Sequence, residues 1–326
     1  MHALPVAVDA MGGDQAPGEI VLGAIQAAQA GFPVVLVGAP DSLGDTGGLE
    51  VIAASEVIAM DEEPGQGVRR KKDSSLVRAA EAVRDGRACA MVSAGNTGAT
   101  MASALFRMGR LPGVARPAIA TPIPVPGSSP TVLLDAGANS ECNPAWLVQF
   151  AQMGSVFSSE RYRVASPRVG LLSIGEEATK GTTLVKETHA LLAAAPGVNF
   201  VGNVEGRDIM SDAVDVVVTD GFTGNVALKT LEGGLRFLVN AMLAAMTANE
   251  EARDAAKVLL PALAPLADAL EPDSYGGAML LGVDGLCIIS HGSSSARAIV
   301  NAVRVGHELA AHDVVARLRA AVTAPG

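Results

Sequence analysis

Six times along this chain a short run of β-branched and other apolar residues stops at a loop of glycine with Asp, Asn, Ser or Thr, and an amphipathic segment follows. The stretches are VAVDAMGGD, CAMVSAGNTGA, TVLLDAGANSE, VGLLSIGEEATKG, VVVTDGFTGN and CIISHGSSSAR. Strands that are apolar on both faces are buried on both faces, so they belong to a mostly parallel sheet with helices on either side. The stretches SSLVRAAEAVRDG and ALKTLEGGLRFLVNAM carry apolar residues at i, i+3, i+4 and i+7, the period of a helix with one buried face. The expectation is a three-layer α/β/α unit forming a single domain over residues 1–326.

In a parallel sheet the loops after the carboxyl ends of the strands open on one edge, so these six are expected to converge on one crevice. Each loop also feeds a helix whose first N–H groups are unpaired and whose dipole end is positive, which suits an oxyanion. Glycine lets such an anion approach the backbone or lets the chain turn with positive φ. For individual residues a structural role stands beside the functional one. Lys180 can meet a phosphate or the oxygen of a carbonyl under attack, or it can pair with Glu176 or Glu177. Asn225 can orient a substrate carbonyl or serve as a helix N-cap. His291, in SHGSSSAR, can be catalytic or a satisfied structural histidine.

Several chemistries are disfavoured. With 24 Lys and Arg against 34 Asp and Glu, the net charge is −10, which repels nucleic acid and anionic membrane. Aromatic residues at 3% leave no stacking platform for single strands. Cys89, Cys142 and Cys287 are isolated thiols, as in a reduced cytosolic protein. The five histidines include no H-x-x-x-H and the acids no D-x-D cluster, so no metal and no cofactor is expected. Neither G-x-G-x-x-G with its distal acid nor the Walker pattern is present. The run Gly292-Ser293-Ser294-Ser295-Ala296 falls one residue short of a nucleophile elbow. The N-terminus lacks the features of a signal peptide, and Pro122, Pro124, Pro126 and Pro130 break the longest uncharged stretch, Pro117 to Leu134, so no spanning helix is expected.

Taken together, DAMGGD, SAGNTGA, LLDAGAN, LVQFAQMGSVF, IGEEATKG, DGFTGNVALKTLEG and SHGSS resemble, in order from Val6 to about Asn301, the PlsX family of phosphate acyltransferases. The resemblance implies a Rossmann-like fold similar to isopropylmalate dehydrogenase and phosphate acetyltransferase. It implies transfer of a long fatty acyl group from acyl carrier protein to inorganic phosphate, giving an acyl phosphate for phospholipid synthesis that passes to a glycerol-3-phosphate acyltransferase. It also implies a cytoplasmic homodimer, peripheral on the inner face of the cell membrane. Lys180 and Asn225 match positions of catalytic residues. Asp9, Gly12, Gly13 and Asp14 of the first loop and Gly95, Asn96, Thr97 and Gly98 of the second are implied to bind phosphate or acyl group. So are Asn139, Glu177, Asp220, Gly221 and Gly224, together with His291, Gly292 and Ser293.

The family reading makes Arg69, Arg70, Lys71 and Lys72, with Arg107 and Arg110, candidates for docking the acidic carrier; otherwise the run is a solvated loop. A helical excursion is expected at about 231–275, and Leu259, Leu260, Leu263, Leu266 and Leu270 give it a face for a bilayer or for a partner subunit. Lys257 is its only lysine between residues 250 and 274, so attachment to anionic lipid by charge is not expected. Ser173 and Gly276 are small departures from the family pattern. The alternatives are a phosphate acetyltransferase-like enzyme using acyl-coenzyme A and a non-catalytic acyl phosphate binding protein.

Overall fold

A computed structural model of the chain describes residues 4–323. The strands are β1 (Val6–Asp9), β2 (Val34–Gly38), β3 (Val51–Ala53), β4 (Ala90–Ser93), β5 (Ala118–Ile123) and β6 (Thr131–Leu134), then β7 (Arg168–Leu172), β8 (Asn199–Val204), β9 (Val216–Val218), β10 (Ala278–Leu281) and β11 (Leu286–Ile289). They form a single sheet of order β3-β2-β1-β4-β11-β10-β5-β6-β9-β7-β8. The helices are α1 (Gly18–Gln29), α2 (Pro64–Arg70), α3 (Ser75–Arg84), α4 (Thr97–Arg107) and α5 (Pro144–Tyr162), then α6 (Thr183–Ala193), α7 (Gly221–Met246), α8 (Glu250–Leu270), α9 (Ala296–Ala311) and α10 (Val314–Thr323).

Alternate strand residues feed two cores, as the period of a strand requires. Val6, Val8, Val92 and Ile288 point to the layer that holds Ile20, Phe150, Ile299 and Leu318, from α1, α5, α9 and α10. Ala7, Met91 and Cys287 point the other way, to Val68, Val77, Ala99 and Ala104 from α2, α3 and α4. The second layer continues over Ile123, Leu133 and Val217, where Ala227, Leu228 and Leu231 of α7 pack. Caps fall where loop chemistry permits: Asn96 caps α4, Thr182 caps α6, Asp220 caps α7 and Ser295 caps α9, each side chain accepting from a first-turn N–H.

All six apolar runs are strands, but they do not all point the same way. β10 is antiparallel to both β11 and β5, and β5 is antiparallel to β6. Strands β1, β4 and β11 therefore run opposite to β6, β7 and β9. The expectation that all six glycine loops open on one edge is corrected to three loops on each edge. Direction is set by the hydrogen-bonded neighbour, which a strand's own residue pattern does not encode. Each step in a sheet adds about 20–25° of twist, and five steps separate β4 from β9, so the two halves are turned by roughly 100° or more. Across that turn, Ala136, Ala138 and Leu228 of one half pack into the same apolar cluster as Ala99 and Ala104 of the other.

The uncharged stretch from Pro117 to Leu134 is β5 and β6, and no helix of the described residues is long and apolar enough to cross a membrane. Beyond Leu231, α7 and then α8 project with apolar side chains outward: Phe237 is 75% and Val258 77% exposed.

The α1–α9 crossing depends on Gly23, where an added Cβ would lie 2.6 Å from the Ala296 carbonyl oxygen and 2.7 Å from the Ile299 Cβ. Gly23→Ala should lower unfolding free energy in a denaturant titration by about 1–3 kcal/mol through overpacking, despite the better helix propensity of alanine.

Candidate active site

At the first edge the loops after β1, β4 and β11 meet. Asp9 is fully buried at the end of β1, where its carboxylate accepts from the Ser93 hydroxyl at 2.6 Å and the Met11 N–H at 3.3 Å. Burial pushes its pKa above the usual carboxylate range, and hydrogen bonds from Ser75, Ser93 and the loop backbone pull it back. Asp9 thus holds the loop from beneath instead of lining a crevice, because a desolvated carboxylate needs these donors. Gly12 presses on it: an added Cβ would sit 2.4 Å from the Asp9 Oδ2 and 2.9 Å from Gly95. The Asp14 N–H donates to the Gly292 carbonyl at 2.8 Å, tying the first loop to the last, and Gly13 makes the intervening turn at φ +119°.

The other candidates of this edge are mostly occupied. The Asn96 side chain caps α4 through the Ala99 N–H at 3.0 Å, and its amide donates to the carbonyls of Met60 at 2.8 Å and Glu62 at 3.2 Å. Gly98 lies against Pro64. The His291 Nδ1 accepts from the Ser293 N–H at 3.3 Å and lies 2.8 Å from the Ser293 hydroxyl, which leaves Nε2 for the proton of the neutral ring. The Ser294 hydroxyl donates to the His291 carbonyl at 2.6 Å, a structural bond that removes it as a nucleophile. Asp14, Thr97, His291 and Ser293 remain exposed.

At the opposite edge the organiser is Asp135, a residue that sequence reasoning did not single out. It is fully buried, and its two oxygens accept from the N–H groups of Ile119, Gly137, Ala138 and Asn139 and from the Asn139 amide, at 2.7–3.2 Å. Burial raises its pKa, and these donors oppose the rise. The available signal was the position of an Asp directly after an apolar strand in LLDAGAN, as in the VAVD of β1. Asn139 also donates to the Pro117 carbonyl at 2.8 Å. Gly221 and Gly224 close over this turn: a Cβ at 224 would stand 1.9 Å from the Asp135 carbonyl oxygen. Asp220 caps α7 through the Thr223 N–H and hydroxyl, both at 2.8 Å.

Asn225 follows as the fifth residue of α7, exposed, with Gly137 at its side chain and no hydrogen bond among the described residues. It is not the N-cap; Asp220 is. Lys180 stands in the loop after β7, the strand next to β9, so both residues belong to neighbouring loops of one edge. Lys180 is exposed and makes no ion pair among the described residues, since Glu176 pairs with Arg207 at 3.2 Å. Glu177, Lys180, Glu205 and Arg207 line a cleft of about 450 Å³. Asn203, also missed, supports the loop: its amide donates to the Glu177 carbonyl at 2.9 Å, and its oxygen meets His189 Nδ1 at 3.0 Å. No hydrogen bond or ion pair joins the loops of the two edges among the described residues.

The thiols are unreactive by environment. Burial pushes Cys89 and Cys142 up to about 11 and Cys287 up to about 12, so thiolate is scarce near neutral pH. Of the candidate docking cations, Arg69, Arg70 and Lys72 are exposed, and Arg69 lies over the Phe106 ring at 5.6 Å. Lys71 is held by Glu62 at 2.5 Å and by the Val57 carbonyl, and Arg107 lies 3.6 Å from Glu81.

Asp135→Asn would set an amide N–H₂ or a single acceptor against donors that now have two carboxylate oxygens. Unfolding should become easier by about 1–3 kcal/mol, the cost of an unmet buried donor, and activity should fall with it; chemical denaturation and initial rates measure both.

Comparison with known proteins places this architecture. A family model described as "Fatty acid synthesis protein" matches residues 4–317. A phosphate acyltransferase of Heliobacterium modesticaldum is 48% identical over 324 residues, covering 96% of both chains. One of Pelotomaculum thermopropionicum is 47% identical, covering 98% of this chain and 95% of its own. Among solved structures, a phosphotransacetylase from Streptococcus pyogenes superposes with a TM-score of 0.63 at 16% identity, over 95% of this chain and 94% of that one. A branched-chain phosphotransacylase from Enterococcus faecalis V583 gives 0.60 at 13% identity, over 94% and 99%; at these identities the likeness concerns the fold. On a family match across 4–317 and such identity from end to end, the chain belongs to the PlsX family of phosphate acyltransferases.

Proposed function

We propose that this enzyme transfers a long-chain fatty acyl group from acyl carrier protein to inorganic phosphate, and that the acyl phosphate formed supplies phospholipid synthesis through a glycerol-3-phosphate acyltransferase. The observation that carries the reading is a pair of donors without protein partners, the Lys180 ammonium and the Asn225 amide, on neighbouring loops of one sheet edge. A protein of net charge −10 that leaves these groups unpaired beside a cleft offers them to an oxyanion.

The chemistry asks for little more. Phosphate is already partly ionised near neutral pH and needs position more than deprotonation. One of its oxygens attacks the thioester carbonyl carbon, the new C–O bond forms as the C–S bond breaks, and the electron pair leaves on sulfur. A thiol of pKa about 8.5 departs readily and takes its proton from water. In this assignment Lys180 holds the phosphate, while the Asn225 amide receives the charge that develops on the carbonyl oxygen. Asp135, Gly221 and Gly224 fix that turn. The loops after β1, β4 and β11 hold the start of α4 and, through Asn96, the segment 60–62 that leads into α2. Gly12, Gly13, Asp14 and Gly95–Gly98, with His291–Ser293, are assigned to this half of the substrate cleft.

Arg69, Arg70 and Lys72 form the docking patch for the acidic carrier, with Lys71 as its internal strut. The outward apolar faces of α7 and α8 are the surfaces for self-association and for the inner face of the cell membrane. Leu259, Leu260 and Leu266 are 54%, 44% and 45% exposed, whereas Leu263 and Leu270 are half-buried. Contact with lipid there is apolar, because Glu250, Glu251, Asp254 and Asp268 outnumber Arg253 and Lys257 on α8.

Purified enzyme given palmitoyl-acyl carrier protein should release free carrier thiol only when phosphate is present, with the product trapped as a hydroxamate. Release without phosphate would mark a thioesterase, and turnover confined to acyl-coenzyme A would replace the donor. Lys180→Ala and Asn225→Ala should each cut kcat/KM by about a hundredfold or more with unchanged melting, as for loss of an oxyanion donor. Reversing Arg69 and Arg70 to Glu should raise KM for the carrier and flatten its salt dependence while sparing KM for phosphate.

A further inference from the structure

A second cleft, of about 540 Å³, lies among Leu105, Arg110, Ala115, Arg116, Pro117 and Trp146. It joins the C-terminal end of α4, the segment leading into β5 and the first turn of α5. The Arg116 guanidinium rests over the Trp146 ring at 4.9 Å and makes neither a hydrogen bond nor an ion pair among the described residues. With one flat face on the indole, its in-plane N–H donors are left for something else. Arg110 is likewise without a carboxylate partner among the described residues; one of its nitrogens donates to the Ala115 carbonyl, which keeps the loop folded beneath it. Gln149 clamps the same loop, accepting from the Ala115 N–H at 2.9 Å and donating to the Gly113 carbonyl at 2.8 Å. The cleft is therefore a braced site in which the Arg116 fork is free and the Arg110 guanidinium keeps donors beyond the one given to Ala115.

Its surroundings choose the ligand. Leu105, Ala115, Pro117 and Trp146 give the cleft uncharged walls beside the two cations. The volume lies within the roughly 300–1,000 Å³ of pockets that take organic ligands. The cleft also adjoins the Asp135 turn: the Pro117 carbonyl accepts from Asn139, whose own carbonyl receives the Gly221 N–H at 2.7 Å, and Asn225 lies one turn further along α7.

We infer that the Arg110–Arg116–Trp146 cleft binds the phosphate ester of an uncharged amide-containing chain, the kind of arm on which acyl thioesters are carried, with its thiol end directed to the Asn225 turn. The guanidinium forks take the phosphate oxygens, and Trp146 and Pro117 cover the first part of the arm. This deepens the proposed function and rests on its thioester donor, but the binding itself can be measured without turnover.

The test is calorimetric titration of the full chain with pantetheine 4′-phosphate, with unphosphorylated pantetheine, and with inorganic phosphate. Wild type should bind the phosphate ester in preference to the other two. Arg116→Ala and Arg110→Ala should each weaken that binding by about tenfold or more, as expected for loss of a charged donor, and Arg116→Ala, which removes no hydrogen bond within the protein, should melt like wild type. In acyl transfer the same variants should raise KM for the donor and leave KM for phosphate within about twofold, since only the arm uses these forks. Equal binding of inorganic phosphate, a rise in KM for phosphate instead, or ester binding untouched by both substitutions would each overturn the inference. If the ester binds through these arginines but no acyl donor turns over, the proposed function fails and the cleft assignment stands.

Discussion

Every polar loop of this molecule opens where the pairing of two short strands allows. β10 runs against β11 and β5, and β5 against β6, so the sheet consists of two parallel blocks of opposite direction on one continuous hydrogen-bonded frame. Parallel blocks carry long connections through helices, whereas the antiparallel seam needs only the short connections between β5 and β6 and between β10 and β11. The seam divides the glycine loops into two groups, and the twist accumulated across it brings α4 and α7 onto one apolar cluster.

Each group of loops is built over a buried carboxylate. Asp9 and Asp135 both end an apolar strand, both are inaccessible to water, and both gather hydrogen bonds from the loop that follows. A carboxylate removed from water without such donors is costly, so the loop backbone must turn its N–H groups inward to satisfy it. The glycines then answer a steric demand: at Gly12 and Gly224 any side chain would strike the carboxylate or its backbone. The same arrangement leaves the exposed side chains, Asn225 and Lys180 at one edge and His291 and Ser293 at the other, on rigid supports.

The charge pattern follows from the excess of acid. Most cations here have a carboxylate within reach: Arg168 with Asp215, Arg161 with Glu308, Lys71 with Glu62, Arg107 with Glu81. Against that background, cations that no acid engages stand out. Lys180 lies in one cleft and Arg110 and Arg116 in another, both at the Asp135 edge, while Arg69, Arg70 and Lys72 lie exposed around the C-terminal end of α2.

Much was legible in the residues alone. The six apolar runs became strands, and the ordered motifs led to the family that the full-length comparisons bear out. These features are local: alternation, capping and turn chemistry act within a few residues and so are written in a short stretch. Tertiary structure alone decided the direction of each strand, the burial of Asp9 and Asp135, the partner of each charge, and the meeting of Arg116 with Trp146 across 30 positions of sequence. Those outcomes depend on which distant segments become neighbours, and the choice between a free cation and a paired one is made only when the folded chain brings an acid within hydrogen-bonding reach or fails to.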